Sequence, residues 1–196
     1  SSDLEPKFND NFKQTKNEIE TSSPGKIEVI ELFWYGCIHC YTMDPYLDKW
    51  ADALPDDVVF KRVPAIPRKS WVPGAKAFYA LETLGLEKEL HEKLFDAIHK
   101  EKDLDPNNEK ALIDWVTLNG KIDKKEVKSA FNSFSIDTKL KKSYKIFKEA
   151  GATGVPTIII DGNYMTSSTM AGGEQNAIDI TNYIIENIRN DKKKSN

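Results

Sequence analysis

The sequence predicts an α/β fold in which a β-sheet is interrupted by an inserted α-helical domain. Strand-like apolar runs occur early in the chain and again near its end, whereas the segment between them shows only helical periodicity. The 196 residues are enough for one domain with a sizeable insertion. No apolar stretch reaches the roughly 18 residues of a membrane span, so none is expected.

The first half of the sheet is predicted around one helix. Residues 27–33 form an apolar, β-rich run, and residues 58–64 form a second one. A helix is predicted from residue 37 or 38 to about residue 53. Such a strand–helix–strand unit pairs in parallel with a right-handed crossover. An additional edge strand is predicted near residues 18–20.

The middle of the chain predicts helices separated by short breaks. Their apolar stripes are expected to pack in a core: Leu90, Leu94, Phe95 and Ile98; Leu112, Trp115 and Val116; Val127, Ala130, Phe131 and Phe134; and Ile136, Leu140, Tyr144 and Phe147. After Gly151 the pattern returns to strand. Residues 156–163 predict a strand and a tight turn, Tyr164 begins its hairpin partner, and an amphipathic helix follows.

Charge argues against one class of function. Lys and Arg number 28 and Asp and Glu 31, which gives a net charge of −3. A strongly basic nucleic-acid-binding protein is therefore disfavoured. The lysines between the helical stripes predict solvated faces, with a surface for an anionic partner as the alternative.

The chain has only two cysteines, Cys37 and Cys40, three positions apart. Random placement would give this spacing about 1% of the time. A structural disulfide across so short a loop would stabilise the fold weakly. A structural zinc site usually has four ligands, and the spare His91 and His99 lie far along the chain. We therefore favour a redox-active dithiol, whose chemistry needs no metal or organic cofactor.

The predicted helix start at Cys37 favours a thiolate, which is the nucleophile in disulfide exchange. The free N–H groups and the dipole at a helix N-terminus stabilise negative charge. Cys40 lies one turn further in, so Cys37 is expected to attack and Cys40 to resolve. His39 would add a positive charge or a hydrogen bond; the alternative is an ordinary exposed residue. Because a stabilised thiolate favours the reduced form, the pattern predicts a disulfide donor.

Glu31 interrupts the apolar strand that precedes the cysteines. A carboxylate in a central strand is costly unless it is paired. Buried near Cys40, Glu31 would relay a proton during resolution. Its candidate charge partners are Asp44 and either Lys61 or Arg62. The alternative places Glu31 at a solvated sheet edge.

The segment Phe33-Trp34-Tyr35-Gly36-Cys37-Ile38-His39-Cys40 and the later Gly154-Val155-Pro156-Thr157 resemble the thioredoxin superfamily. The x-His dipeptide, the Val-Pro and the helical insertion look specifically like the DsbA family of periplasmic disulfide oxidoreductases. The resemblance covers about residues 19–188. It implies a thioredoxin fold with an inserted α-helical domain, in which residues 1–66 and 145–196 form the thioredoxin-like domain and residues 67–144 the insertion.

The resemblance also implies site residues. The catalytic set is Cys37, Cys40, His39 and Glu31, with Asp44 and Arg62 as charge neighbours of the buried acid. Val155-Pro156 matches a loop whose cis-proline faces the disulfide, and the Val155 backbone would pair with an extended substrate. Ile38 joins these two in substrate binding. It departs from the family's commonest dipeptide, Pro-His, which leaves the oxidising strength open.

In function, the resemblance implies a periplasmic oxidase of a Gram-negative bacterium, a monomer that does not bind nucleic acid. It would oxidise reduced, unfolded secreted proteins and be recycled by a membrane quinone-linked reoxidase of the DsbB type. The chain opens Ser1-Ser2-Asp3-Leu4-Glu5 without a signal peptide, so composition alone leaves a cytosolic protein or a processed form open.

Three alternatives remain at this level. The first is a reductase or isomerase of the same fold, although we expect no room for an isomerase's dimerisation segment. The second is a non-redox peptide-binding module. The third is a glutathione-transferase relative, which the complete Cys-x-x-Cys argues against.

Overall fold

The computed structural model describes residues 5–196, so the first four residues of the predicted 1–66 segment lie outside the described residues. The described part contains five strands and eight α-helices in the order β1 (Lys13–Gln14), β2 (Ile27–Phe33), α1 (Ile38–Asp52), β3 (Val58–Pro64), a 3-10 helix (Lys69–Trp71), α2 (Val72–Thr83), α3 (Glu87–His99), α4 (Glu109–Gly120), α5 (Lys124–Phe131), α6 (Phe134–Ala150), β4 (Thr157–Ile160), β5 (Tyr164–Thr166), α7 (Ser168–Ala171) and α8 (Glu174–Ser195). The predicted order of strands, helical block and returning strands is confirmed.

The five strands form one sheet in the order β1-β5-β4-β2-β3. All seven residues of the inner strand β2 are buried, as its run of apolar residues predicts. Strand β4 pairs with β2 in antiparallel register and with β5 as a hairpin. At the two ends of the β2–β3 pair, the N–H of Ile27 donates to the oxygen of Asp57 and the N–H of Ala65 donates to the oxygen of Phe33. The first bond joins the starts of the two strands and the second joins their ends, so the predicted parallel pairing is confirmed.

The edge strand predicted near residues 18–20 is wrong. The edge strand is β1, which pairs antiparallel with β5. Ile19 is buried as the alternating pattern suggests, and its N–H donates to the oxygen of Gly162. A side chain on Gly162, where φ is +71°, would collide with the Ile19 carbonyl. Residue 19 is therefore anchored at a close crossing of two backbones.

Two of the predicted core aromatics are exposed. Phe134 is 86% exposed and Tyr144 is 53% exposed. The chain breaks after α5, and the N–H of Ile136 donates to the hydroxyl of Ser133 as α6 begins. This restart changes the helical phase. The buried face of α6 instead includes Ser143, whose hydroxyl hydrogen-bonds the phenol of Tyr79 at 2.5 Å.

Contacts between Cα atoms divide the chain into two compact units. Among the described residues, one unit comprises residues 5–32, Thr42–Val63 and Glu149–Asn196. The other comprises Phe33–Tyr41 and Pro64–Lys148. The segment that carries both cysteines thus groups with the helices. The predicted domain boundaries, 1–66 with 145–196 and 67–144, remain a proposal about domain organisation.

Each unit has its own apolar core. In the first, side chains of the sheet, α1 and α8 pack together, among them Val29, Met43, Leu47, Ile158, Ile160 and Ile184. In the second, α2 contacts α3, α4 and α5, and Phe33 packs edge-on against Phe78. Across residues 5–196, none of the helices has the length and apolar character to cross a bilayer.

Candidate active site

The sulfur of Cys37 caps the N-terminus of α1. The N–H of Cys37 donates to the oxygen of Trp34 at 3.0 Å, which closes the turn after β2. Helix α1 begins at Ile38, so Cys37 occupies the N-cap position. The N–H of Cys40, at the third helical position, donates to the Cys37 sulfur at 3.4 Å. This is the bond that a serine or aspartate oxygen makes in an ordinary N-cap, here made to sulfur.

Gly36 allows this turn to form. A Cβ atom at residue 36 would lie 2.7 Å from Cε2 of Trp34, closer than side chains pack. The indole of Trp34 stacks on Trp71 with ring centroids 4.2 Å apart and planes 6° apart, so it is firmly held. Any larger residue at position 36 would displace this stack or the turn.

The surroundings of Cys37 lower its pKa from an ordinary 9.0 to about 6. The largest cause is the hydrogen bond from the Cys40 side chain, and burial opposes it. The backbone N–H groups of Cys40 and His39 and the positive charge of His39 add to the lowering. The thiolate expected at this helix start is therefore stabilised by identified donors, namely the Cys40 thiol and the backbone N–H groups of Cys40 and His39.

The two thiols differ in exposure. Cys37 is partly exposed, whereas Cys40 is fully buried. His39 is exposed, and Ile38 is 53% exposed, so an apolar side chain lies at the surface next to Cys37. An incoming sulfur thus has access to Cys37, while the Cys40 thiol is shielded from solvent.

Glu31 is 1% exposed, so the alternative of a solvated sheet edge is wrong. Its carboxylate Oε1 lies 3.7 Å from Nε of Arg62, and Nη2 of Arg62 lies 3.1 Å from Asp44. Lys61 instead pairs with Glu28, which answers the question of which basic residue neighbours Glu31. Burial disfavours the charge of Arg62, but the carboxylates of Glu31 and its neighbours outweigh it and raise the pKa of Arg62.

Asp48 completes this charge cluster and was missed by sequence reasoning. Its Oδ1 lies 2.5 Å from Nη2 of Arg62. Asp44 and Asp48 are one helical turn apart on α1, so the i, i+4 spacing was the available signal.

The Val155–Pro156 peptide bond is cis, in agreement with the expectation from the resemblance. Pro156 is buried and Val155 is half-buried. The hydroxyl of Thr157 donates to the oxygen of Gly154 at 2.7 Å and so stiffens the loop. A shallow groove of about 260 Å³ runs along this loop and is lined by Ala152–Thr157, Lys13, Met165–Ser167, Thr169 and Met170.

The two histidines considered as spare zinc ligands have other partners. Nδ1 of His91 lies 2.7 Å from the hydroxyl of Tyr35, and Nε2 of His99 lies 2.6 Å from the Tyr35 carbonyl oxygen. Within residues 5–196, no group of three or more His, Cys, Asp or Glu side chains is arranged to hold a metal ion. Sequence reasoning gave Tyr35 no role, because tertiary contacts alone identify it.

Comparisons with known proteins agree with this geometry. Residues 57–183 match the family model described as DSBA-like thioredoxin domain. "Thiol:disulfide interchange protein DsbA" of Pseudomonas aeruginosa is 39% identical over 184 residues, which cover 93% of this chain and 86% of that protein. The protein of the same name from Azotobacter vinelandii is 37% identical over 179 residues, 91% of this chain and 82% of that protein. The crystal structure of Pseudomonas aeruginosa DsbA superimposes with a TM-score of 0.89 at 35% identity and covers 96% of this chain and 97% of that chain. The predicted thioredoxin fold with a helical insertion is confirmed.

Proposed function

The chain belongs to the DsbA family of thioredoxin-fold proteins and is a protein disulfide oxidoreductase, and from that premise we propose that it works as an oxidant. It donates the Cys37–Cys40 disulfide to reduced, newly exported proteins. The observation that carries this direction is the capped Cys37 sulfur, whose pKa of about 6 makes it a stable thiolate near neutral pH. Stabilising this thiolate favours the reduced form and so strengthens the disulfide as an oxidant.

The proposed reaction passes through a mixed disulfide. A substrate thiolate attacks the Cys37 sulfur; the Cys37–Cys40 bond breaks and Cys40 leaves with the electron pair. A second substrate thiolate then attacks the substrate sulfur of the mixed disulfide, and Cys37 leaves as a thiolate. The substrate loses two electrons and two protons, and the protein gains a dithiol. The exposure of Cys37 and the burial of Cys40 support this assignment of roles.

We assign substrate binding to Val155, Pro156 and Ile38. The half-buried Val155 lies in the groove along the cis-proline loop, where its backbone would pair with an extended peptide by strand addition. Ile38 offers exposed apolar surface to side chains that flank the substrate cysteine.

Glu31 is proposed to exchange a proton with Cys40 during resolution. Its burial among Arg62 and Asp44 supports a role beyond surface solvation, since a buried carboxylate is retained at a cost. His39 is proposed to stabilise the Cys37 thiolate through its positive charge.

Membership of the family supports a proposal about partners and location. We propose that the substrates are reduced, unfolded secreted proteins and that a membrane quinone-linked reoxidase of the DsbB type restores the disulfide. We also propose the periplasm of a Gram-negative bacterium as the location.

The test follows the thiols of a reduced, unfolded protein mixed with the oxidised enzyme. We expect stoichiometric loss of substrate thiols with the wild type and none with Cys37→Ala. Cys40→Ala, incubated with a disulfide-bonded peptide, should accumulate a mixed disulfide because no resolving thiol remains. Lys49→Ala, at an exposed position of the same helix, is the control and should behave as wild type.

The outcomes separate the alternatives. A wild-type protein that reduces disulfides but does not oxidise thiols would identify a reductase. A Cys37→Ser variant that keeps full cellular function would identify a peptide-binding module without redox chemistry.

A further inference from the structure

Helix α3 holds both ends of the segment that carries the dithiol. Tyr35 lies two residues before Cys37, and Tyr41 directly follows Cys40. Both tyrosines contact α3, and all of these residues belong to the same compact unit. Because both tyrosines contact the same helix, α3 fixes where the Cys-x-x-Cys turn starts and where the first turn of α1 ends.

Tyr35 contacts α3 through both its backbone carbonyl and its side chain. Nε2 of His99 lies 2.6 Å from the Tyr35 carbonyl oxygen, and because a carbonyl only accepts, His99 donates this bond. The Tyr35 phenol lies 2.7 Å from Nδ1 of His91, which is about two helical turns before His99 on α3. The ring of Phe95 packs edge-on against Tyr35, with centroids 4.9 Å apart. Both the backbone and the side chain of Tyr35 are therefore restrained.

The contact at Tyr41 uses the same end of α3. The Tyr41 hydroxyl donates to Oδ1 of Asp96 at 2.7 Å. The Tyr41 ring stacks on His99, with centroids 5.1 Å apart and planes 23° apart. His99 therefore touches both sides of the dithiol: it donates to Tyr35 and stacks on Tyr41.

We propose that His99 is a positioning residue for the dithiol: with Asp96 it clamps Tyr35 and Tyr41, and so sets how strongly the protein oxidises its partners. This inference rests on the proposed function. His99 touches neither cysteine in any contact described above, so its effect passes through the two tyrosines.

The physical reason is preorganisation. The Cys37 sulfur is stabilised by donors that belong to Cys40 and His39, so the positions of these two residues decide how well the thiolate is stabilised. Donors fixed in advance cost no rearrangement when the thiolate forms. If Tyr35 and Tyr41 are free to move, the turn and the first helical turn drift apart, and the reduced form loses part of its advantage.

The test uses three variants in the full chain. His99→Phe keeps a ring to stack on Tyr41 but removes the donor to Tyr35. His99→Gln keeps an N–H donor but removes the ring. Tyr41→Phe keeps the ring that stacks on His99 and removes only the hydroxyl that donates a hydrogen bond to Asp96. Lys93→Gln, at an exposed position of the same helix, is the matched control for the introduced glutamine.

Two readouts are taken on folded protein: the pH titration of Cys37 alkylation and the thiol–disulfide equilibrium with glutathione. We expect His99→Phe to shift that equilibrium about tenfold toward the oxidised protein, which is about 30 mV for a two-electron couple. Tyr41→Phe should shift it in the same direction, His99→Gln should shift it less than His99→Phe, and Lys93→Gln should leave it unchanged.

A purely structural role would lower thermal stability and leave both readouts at their wild-type values, and that result would overturn the clamp. If His99→Phe does not fold, the test rests on His99→Gln and Tyr41→Phe. The proposal is overturned if both variants have the same thiol–disulfide equilibrium with glutathione as the wild type. The wild-type measurement tests the proposed function separately. A wild-type protein with an ordinary thiol and no oxidising strength refutes that function, whereas an oxidising wild type with unaffected variants refutes only the clamp.

Discussion

At the residue scale, the chemistry depends on where one sulfur lies. Cys37 takes the place of an N-cap oxygen, so the bond that begins α1 is also the bond that stabilises a thiolate. The cysteine spacing and the start of α1 were predictable from the sequence. Which donor lowers the pKa of Cys37 most could not be predicted, because that order depends on side-chain geometry that the sequence pattern does not contain.

The causes of the low Cys37 pKa predict an order of effects. The side-chain hydrogen bond from Cys40 is the largest lowering influence, and the charge of His39 is the smallest. Cys40→Ala should therefore raise the pKa of Cys37 more than His39→Ala does. The pH dependence of alkylation of the reduced protein measures both, with a wild-type midpoint near the expected value of about 6. The order would be refuted if His39→Ala had the larger effect.

The same pKa predicts how the stability of the reduced protein depends on pH. The folded pKa of about 6 lies below the ordinary 9.0. A depressed pKa contributes stability that is complete above about pH 9 and is lost as pH falls through about 6. Between about pH 7 and about pH 5, the free energy of unfolding should fall by about 1 kcal/mol from this group.

Denaturant unfolding of the reduced wild type and of Cys37→Ser measures this contribution, because the serine hydroxyl does not titrate in this range. The difference between the two proteins should shrink toward acid pH. Equal pH dependence of both proteins would show that Cys37 carries no such linkage.

At the element scale, a buried cluster of charges ties α1 to two strands. Arg62 on β3 contacts Glu31 on β2 and both Asp44 and Asp48 on α1. Arg62 is largely buried, with 11% of its side chain exposed. Removing one partner of a buried charge cluster leaves the others uncompensated, which costs more than the intact cluster contributes.

Arg62→Met should therefore lower the free energy of unfolding by about 3 kcal/mol or more. Arg189→Met is the control, because Arg189 pairs with Asp57 and Glu186 at the surface and its loss should cost about 1 kcal/mol or less. Chemical denaturation of both variants provides the comparison. If Arg62→Met and Arg189→Met lost similar amounts of unfolding free energy, the Arg62 cluster would contribute no more than a surface ion pair.

The elements also show where sequence patterns lose information. Strands β2 to β5 and the helices α1, α3, α4 and α8 followed from apolar patterns, and β2 was predicted with its observed bounds, whereas β1 was not predicted. Phe134 was placed in the core because its spacing continued that of α5, but the break at residues 132 and 133 resets the phase. Residues 18–20 were wrongly predicted as a strand: Ile19 is buried without joining the sheet ladder, since burial and ladder pairing are separate properties.

At the scale of the whole molecule, the dithiol segment groups with the helical unit. Residues Phe33–Tyr41 have their dense contacts with helices, notably through Tyr35, Tyr41 and α3. A family resemblance identifies the dithiol but not these neighbours. We therefore expect substitutions in the helical unit, and not only at the two cysteines, to change the oxidising strength.

We expect the proposed oxidase to act as a single chain, which would separate it from an isomerase with a dimerisation segment. We expect the molecular mass in solution, measured by light scattering at micromolar concentration, to equal that of one chain in both redox states. A stable dimer would favour the isomerase alternative.

The reduction potential of the Cys37–Cys40 disulfide shows whether this protein is an oxidant. Equilibration with glutathione, followed by the thiol content of the protein, gives this value. We expect a potential well above the roughly −270 mV of thioredoxin, because the Cys40 thiol and the N–H groups at the start of α1 stabilise the Cys37 thiolate. A potential at or below that of thioredoxin would refute an oxidising role.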